Sequence, residues 1–112
     1  MEIEVNEFVR RISVITLSER LDVLSAPALQ AKLEALMDDG VIHFVLDLSQ
    51  TPFLDSAGMA VMVTLLKRAR QAGGDVKLVS PQAEAARRIL HLTKFDRVFD
   101  IAETAAAARE SF

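Results

Sequence analysis

One apolar run, Val41 to Leu48, constrains the fold of this chain more than any other segment. Only His43 and Asp47 interrupt its apolar side chains. A strand with one face in water alternates apolar and polar residues, whereas a nearly continuous apolar run suits a strand that is buried on both faces. The run therefore predicts the central strand of a sheet.

A helical segment and a further strand follow this run. Apolar residues at helical spacing extend from Ser56 to Gln71, Gly73-Gly74 ends the segment, and Val76 to Val79 is typical of a strand. A strand, a helix and a strand within about 40 residues form a βαβ unit. Its two strands are expected to be parallel, with a right-handed crossover.

The remaining segments complete one α/β domain of residues 1–112. We predict a mixed sheet of four to five strands, with about four helices packed mainly on one face. Before the central strand we predict antiparallel strands at residues 2–8 and 12–17 with a turn at Arg10-Arg11, and then a helix. This helix is capped by Ser25, carries Pro27 in its first turn, ends at Gly40 and buries Leu29, Leu33 and Leu36. After the βαβ unit we predict a helix that starts at Ser80-Pro81 and buries Ala85, Ile89 and Leu92, a connection at 94–96, an edge strand at 98–101, and a last helix capped by Thr104.

The composition excludes several classes of protein. The 112 residues contain no cysteine, which removes disulfides, thiolate metal sites and cysteine nucleophiles. A net charge of −3 and the absence of Trp and Tyr disfavour nucleic-acid binding. The first residues lack the basic region and apolar run that are typical of a signal peptide, and no apolar stretch approaches the roughly 20 residues of a membrane span. We expect a cytoplasmic domain that neither inserts into a membrane nor binds nucleic acid.

Asp55 and Ser56 lie where the predicted helix 56–71 begins. The first N–H groups of a helix lack intrahelical partners, and the helix dipole favours negative charge at that end. Asp55 or Ser56 could simply cap the helix, because capping preferences alone explain both residue types here. Alternatively, Ser56 could carry or contact a phosphate group. The residues alone leave both interpretations open.

No catalytic, metal or cofactor site is predicted. His43 lies in the buried strand and His91 at a helix end, without ligand spacing, so each is expected to be a hydrogen-bonded or surface histidine. Ser56 has no neighbouring base, which argues against a nucleophile. Asp47 ends a buried strand, as in aspartyl-phosphate phosphotransferases, but the second acid expected two residues later is Ser49. Asp47 is instead predicted to hydrogen-bond the following turn.

Several motifs, taken in order, resemble a STAS domain, and in particular the bacterial anti-sigma factor antagonists. The similarity runs from about residue 3 to 102, and its most specific part is the Asp-Ser-small-Gly element. The matching segments are Leu21 to Pro27, Val45 to Ser49, Phe53 to Met59, Gly73 to Val79 and Leu90 to Phe99. Three positions depart from the family pattern, namely Glu19 and Lys94 in place of glycine and Ala57 in place of a second hydroxyl residue.

The resemblance implies a non-enzymatic partner switch. In this family an anti-sigma factor that is also a Mg-ATP-dependent serine kinase phosphorylates the serine after the aspartate, which is Ser56 here. The unphosphorylated antagonist binds the anti-sigma factor and frees the sigma factor, the phosphorylated form does not bind, and a phosphoserine phosphatase resets the switch. The domain itself needs no cofactor. The implied partner-binding residues are Asp22, Ser25, Asp55, Ala57, Gly58 and Met59.

A second function is compatible with the same family. The chain could be a STAS accessory subunit of a membrane transport complex, for example a lipid-transport ATPase. The same helix edge would then dock constitutively, and Ser56 would only cap its helix.

Overall fold

The computed structural model describes residues 2–7 and 11–112. These residues form five strands and five helices in one α/β domain. In chain order they are β1 (Ile3–Glu7), β2 (Ile12–Leu17), α1 (Ala26–Asp38), β3 (His43–Asp47), α2 (Ser56–Gln71), β4 (Asp75–Val79), α3 (Glu84–Leu92), α4 (Phe95–Val98), β5 (Asp100–Ala102) and α5 (Ala105–Glu110).

The strands lie in the order β1-β2-β3-β4-β5. β1 and β2 are antiparallel, and every later pair is parallel. Val45 of β3 lies opposite Val14 of β2 and Lys77 of β4, so β3 is the central strand. The predicted mixed sheet, antiparallel first pair and parallel βαβ unit are therefore confirmed. Residue 8 of the predicted first strand and Arg10 of the predicted turn lie outside the described residues.

Both faces of the sheet are covered, which explains the nearly continuous apolar run in β3. Phe44 and Leu46 point into the main core beneath α1, α2 and α3. Val45 points the other way, into a smaller cluster that contains Ala108 of α5. Successive side chains of a strand alternate between faces, so a strand between two cores has no position for water.

The predicted start of α3 is wrong. Ser80 and Pro81 remain outside the helix, which begins at Glu84, and the Ser80 N–H group donates to the Ala102 carbonyl at 2.9 Å. A residue that precedes proline is biased toward extended backbone, which suits this sheet-edge hydrogen bond. The buried face of α3 also differs from the predicted one. Its buried residues are Ala86 and Leu90, whereas Ala85 and Leu92 are exposed and Ile89 is half-buried.

The C-terminal region adds one helix to the four that were predicted. α4 forms where the sequence predicted a plain connection, and the edge strand consequently lies at 100–102 rather than 98–101. Lys94, which replaces a family glycine, precedes α4 with a φ of 62° in the left-handed region. The predicted cap of α5 is confirmed, because the Ala107 N–H group donates to Thr104 Oγ1 at 3.1 Å.

Candidate functional site at the start of helix α2

The candidate site lies where the loop after β2 meets the loop after β3. Leu21 and Leu54, one from each loop, form an isolated parallel β-bridge. The Leu21 N–H group donates to the Phe53 carbonyl at 3.0 Å, and the Asp55 N–H group donates to the Leu21 carbonyl at 3.1 Å. Both leucines are fully buried. The bridge therefore fixes the two loops to each other at the carboxyl ends of neighbouring parallel strands.

Asp55 caps α2 and also binds the opposite loop. Its Oδ1 atom accepts hydrogen bonds from the N–H groups of Ala57 at 2.9 Å and Gly58 at 3.1 Å. Its Oδ2 atom accepts a hydrogen bond from the Val23 N–H group at 3.1 Å. The predicted cap is confirmed. One carboxylate thus satisfies two of the unpaired N–H groups of α2 and fixes the loop after β2.

Ser56 is the first residue of α2, and its side chain is exposed. Within the described part of the chain its hydroxyl group makes no hydrogen bond. The positive end of the helix dipole lies here, so added negative charge is better tolerated than elsewhere on the surface. The Ser56 hydroxyl is therefore accessible to a modifying enzyme.

Asp22 organises the loop after β2. Its Oδ1 atom accepts hydrogen bonds from the N–H groups of Leu24 at 3.0 Å and Ser25 at 3.2 Å, and Arg20 Nε lies 3.4 Å from Oδ2. Desolvation raises the pKa of the Asp22 carboxyl group. The hydrogen bonds from Ser25, Leu24 and Arg20 outweigh that effect, so its pKa lies below the ordinary value.

Ser25 occupies the N-cap position of α1, but its side chain does not cap the helix. Its hydroxyl group instead donates to the Arg20 carbonyl at 2.7 Å and accepts a hydrogen bond from the Asp22 N–H group at 3.0 Å. Its predicted capping role is therefore wrong, because the hydroxyl is already committed to the loop. Pro27 does lie in the first turn of α1, as predicted.

Of the expected contact edge, Gly58 and Met59 are buried and Ala57 is half-buried. A Cβ atom on Gly58 would lie 2.5 Å from Leu21 Cγ and 2.7 Å from the Leu21 carbonyl oxygen. Glycine here therefore permits the close approach of α2 to the opposite loop. Gly58 and Met59 shape the site from beneath, and they present little surface of their own.

Two exposed apolar residues in the loop after β2 were not predicted from the sequence. Val23 is 66% exposed and Leu24 is 87% exposed. The available signal was their position between Asp22 and Ser25, in a segment whose backbone is turned by side-chain hydrogen bonds. An apolar pair at such a turn has little opportunity for burial in its own domain.

The other expected positions have defined partners. Asp47 Oδ1 accepts a hydrogen bond from the Ser49 N–H group at 3.0 Å, which confirms the prediction for Asp47. His91 is exposed, with Nδ1 3.1 Å from Asp96 Oδ2. The expectation for His43 is wrong, because its buried Nδ1 atom has no hydrogen-bond partner among the residues that the structure describes, and its ring packs against Phe112 at 5.1 Å.

Within residues 2–7 and 11–112, no cluster of three or more histidine, aspartate or glutamate side chains is arranged to hold a metal ion. In the same ranges, none of the helices combines the length and apolar character needed to cross a bilayer.

The chain is similar in sequence and in structure to known proteins. The family model of the STAS domain matches residues 3–108, nearly the whole chain. The chain belongs to the STAS domain family. This STAS domain is 30% identical over 87 residues to the anti-sigma-B factor antagonist of Bacillus subtilis, a match that covers 78% of each protein.

Solved structures agree with this assignment. The crystal structure of an anti-sigma factor antagonist from Mycobacterium paratuberculosis superposes with a TM-score of 0.86 at 28% identity, covering 98% of this chain and 92% of that one. The unphosphorylated form of the anti-sigma factor antagonist SpoIIAA superposes with a TM-score of 0.77, covering 98% of this chain and 96% of that one. At 16% identity, the likeness to SpoIIAA shows the fold alone.

Proposed function

We propose that this STAS domain is an anti-sigma factor antagonist that works as a partner switch. In its unphosphorylated form it binds an anti-sigma factor that is also a serine kinase, and so frees a sigma factor. Phosphorylation of Ser56 blocks that binding, and a separate phosphatase restores it. The domain performs no catalysis, and Mg-ATP is used by the partner kinase.

The exposed Ser56 hydroxyl at the capped start of α2 is the observation that carries this proposal. Asp55 holds the first turn of α2 through two hydrogen bonds, which leaves the Ser56 side chain directed to solvent on a fixed backbone. The names of its relatives support the class of function. The kinase, the phosphatase and the phosphorylation itself belong to the proposal.

The electrostatics of phosphorylation suit a switch that changes binding and leaves the fold intact. A phosphate group adds about −1.5 to −2 charges at neutral pH. The helix dipole offsets roughly 0.3–1 kcal/mol of the local repulsion. Across an interface, one like-charge contact at ~4 Å costs about 1 kcal/mol in water-like surroundings and about 4 kcal/mol near a desolvated surface. Since 1.4 kcal/mol is roughly tenfold in affinity, one or two such contacts weaken binding by roughly tenfold or more.

Intact-mass measurement tests the proposal. The Ser56→Ala variant serves as bait to isolate the partner from the native cell, and the purified partner is then incubated with the wild-type chain and Mg-ATP. We expect one added phosphate, located at Ser56 by peptide fragmentation, and none on Ser56→Ala. Ser18, which is also exposed, provides a matched control, because Ser18→Ala should still gain the phosphate.

The contrary result also has a defined meaning. Phosphate on no residue, combined with stable co-purification of a membrane transport complex, would contradict the switch. Such a result would favour a constitutive accessory subunit in which Ser56 has no regulatory role.

A further inference from the structure

We propose that Leu24, supported by Val23, is an apolar anchor that inserts into an apolar pocket of the anti-sigma factor kinase and positions Ser56 for phosphorylation. This inference rests on the proposed function and adds to it the chemistry of the contact. It assigns partner affinity to a part of the loop after β2 that lies outside the Asp-Ser-small-Gly element.

Exposure distinguishes these two side chains from the rest of the apolar residues. In residues 2–7 and 11–112, the large hydrophobic side chains that remain exposed are Val23, Leu24, Leu92 and Val98. Leu24 has the highest exposure of the four, at 87%. Val23 and Leu24 are consecutive, and the Val23 N–H group donates to Asp55, the residue before Ser56, so the apolar projection that the two side chains form lies at the site. Adjacent exposed apolar residues next to a functional group are typical of interaction surfaces.

The projection is held rigidly. The N–H groups of Leu24 and Ser25 donate to Asp22 Oδ1, and the Val23 N–H group donates to Asp55 Oδ2 at 3.1 Å. Asp55 also caps the helix that begins at Ser56. Val23 and the first turn of α2 are therefore fixed relative to each other through one carboxylate, and Leu24 follows Val23 in the same loop. A preorganised contact of this kind loses less conformational entropy on binding than a flexible loop would.

The surface beside the projection allows a partner to approach closely. A shallow groove of about 300 Å³ lies between α1 and α2 and is lined mainly by small and apolar side chains. These include Ala26, Pro27, Ala57 and Ala60. Val23 and Ala57, the residue after Ser56, both line this groove, so a partner seated in it would contact the first turn of α2 and the Val23 part of the apolar projection.

Local charge favours a protein pocket over an anionic membrane surface. Glu19 is exposed and lines the same surface cavity as Leu24, and the carboxylates of Asp22 and Asp55 accept hydrogen bonds from the backbone of the projection. Arg20 lies 3.4 Å from Asp22 and stacks over the Phe53 ring at 4.4 Å, so its charge is already partly engaged. Interfacial membrane segments instead surround apolar residues with lysine and arginine. An uncharged, apolar pocket of a protein is the occupant that fits.

Phosphorylation kinetics test the anchor. The Leu24→Ser and Leu92→Ser variants are compared with the wild-type chain as substrates of the kinase isolated with the Ser56→Ala bait. Leu92 is a matched control, because it is 71% exposed but lies at the end of α3. Burying a leucine side chain corresponds to roughly tenfold to hundredfold in affinity. We expect Leu24→Ser to raise KM about tenfold or more with kcat unchanged, and Leu92→Ser to match the wild type.

Each other outcome contradicts the inference. Wild-type kinetics for Leu24→Ser would overturn the anchor while the switch stands, and so would equal losses in both variants or a fall in kcat alone. If sedimentation shows that the free chain dimerises and that Leu24→Ser abolishes the dimer, the projection binds a second copy instead. If no variant and no wild-type chain is phosphorylated on Ser56, the proposed function fails, and the anchor fails with it.

Discussion

Helices α2 and α3 both follow a parallel strand through a loop that contains proline, yet their first turns are built differently. At α2, Asp55 accepts hydrogen bonds from Ala57 and Gly58 and holds the opposite loop through Val23. At α3, the N-cap residue is Ala83, whose side chain cannot accept a hydrogen bond. The two helices share their place in the βα pattern, but only α2 has a side-chain-capped start.

This contrast indicates where the domain can present a modifiable residue. Glu84, the acid in the first turn of α3, lies 3.3 Å from Arg88 and forms an exposed ion pair. Exposed pairs of this kind contribute little to stability. The first turn of α2 instead joins two loops, a buried bridge and an exposed hydroxyl group. Substitutions that weaken the start of α2 or reinforce the start of α3 therefore test this comparison directly.

The largest effect on folding is expected from Gly58→Ala. The added methyl group would contact Leu21 Cγ and the Leu21 carbonyl oxygen at distances that real Cβ atoms do not tolerate. Overpacking of this kind costs about 1–3 kcal/mol, and the backbone contact puts this case near 3 kcal/mol. Urea denaturation measures the loss. Thr64→Ala, at an exposed position of the same helix, should change the unfolding free energy by less than about 0.5 kcal/mol.

Asp55→Ala is expected to have the next largest effect. It removes the acceptor for two N–H groups of α2 and for the N–H group of Val23. Loss of a helix cap costs about 0.5–2 kcal/mol, and the lost tether adds to it, so we expect about 2 kcal/mol in thermal or urea unfolding. Asp38→Ala is the control, because that exposed acid lies in the last turn of α1, where negative charge is not favourable. Equal losses in both variants would contradict the bridging role of Asp55.

A smaller effect of opposite sign is expected from Ala83→Asp. The N-cap of α3 has extended backbone, with φ −65° and ψ 126°, and it lacks a side-chain acceptor. An aspartate there can accept a hydrogen bond from the first turn, which stabilises by about 1 kcal/mol. A raised Tm for Ala83→Asp, with the start of α2 unchanged, would confirm that the two helices differ in capping alone. An unchanged Tm would mean that the loop before α3 already accepts hydrogen bonds from the N–H groups of that first turn.

The smallest expected effect is on the pH dependence of folding stability. Desolvation raises the pKa of Asp22, but hydrogen bonds from Ser25 and Leu24 outweigh it and hold the pKa below the ordinary value of 3.8. Below that value the unfolded state binds more protons than the folded state, so stability rises with pH across this window. The contribution is present above about pH 4. It is lost as the pH falls through the folded pKa. Unfolding curves between pH 2 and 6 should show a smaller slope for Asp22→Asn than for the wild type, and an unchanged slope would contradict it.

Much of the fold follows from local patterns in the sequence. The apolar run of β3 predicted a central strand because strand burial depends on consecutive residues, and α2 was predicted with the bounds that the structure gives. The start of α3 was missed because Ser80-Pro81 satisfies the local rule for a helix start and also for an extended segment. A hydrogen bond to Ala102, far along the chain, decides between them.

In the candidate site too, features that depend on neighbouring residues were predictable, and features that depend on distant contacts were not. Asp55 as a cap and Ser56 at the first helical position were predictable, since both depend on neighbouring residues. The exposure of Val23 and Leu24 was not, because Asp55 accepts from Val23 across 32 residues of sequence. The loop role of Ser25 was missed for a related reason, since its hydroxyl bonds backward to Arg20 instead of forward into α1. Contacts between loops decide which side chains of a site reach the surface.

The most direct test of the account is the affinity of three forms of the chain for the kinase partner. Isothermal titration would compare the unphosphorylated chain, Ser56→Ala and the chain phosphorylated on Ser56. We expect the first two to bind equally and the phosphorylated form to bind at least tenfold more weakly, which corresponds to about one like-charge contact. Equal affinity of all three forms would contradict the partner switch.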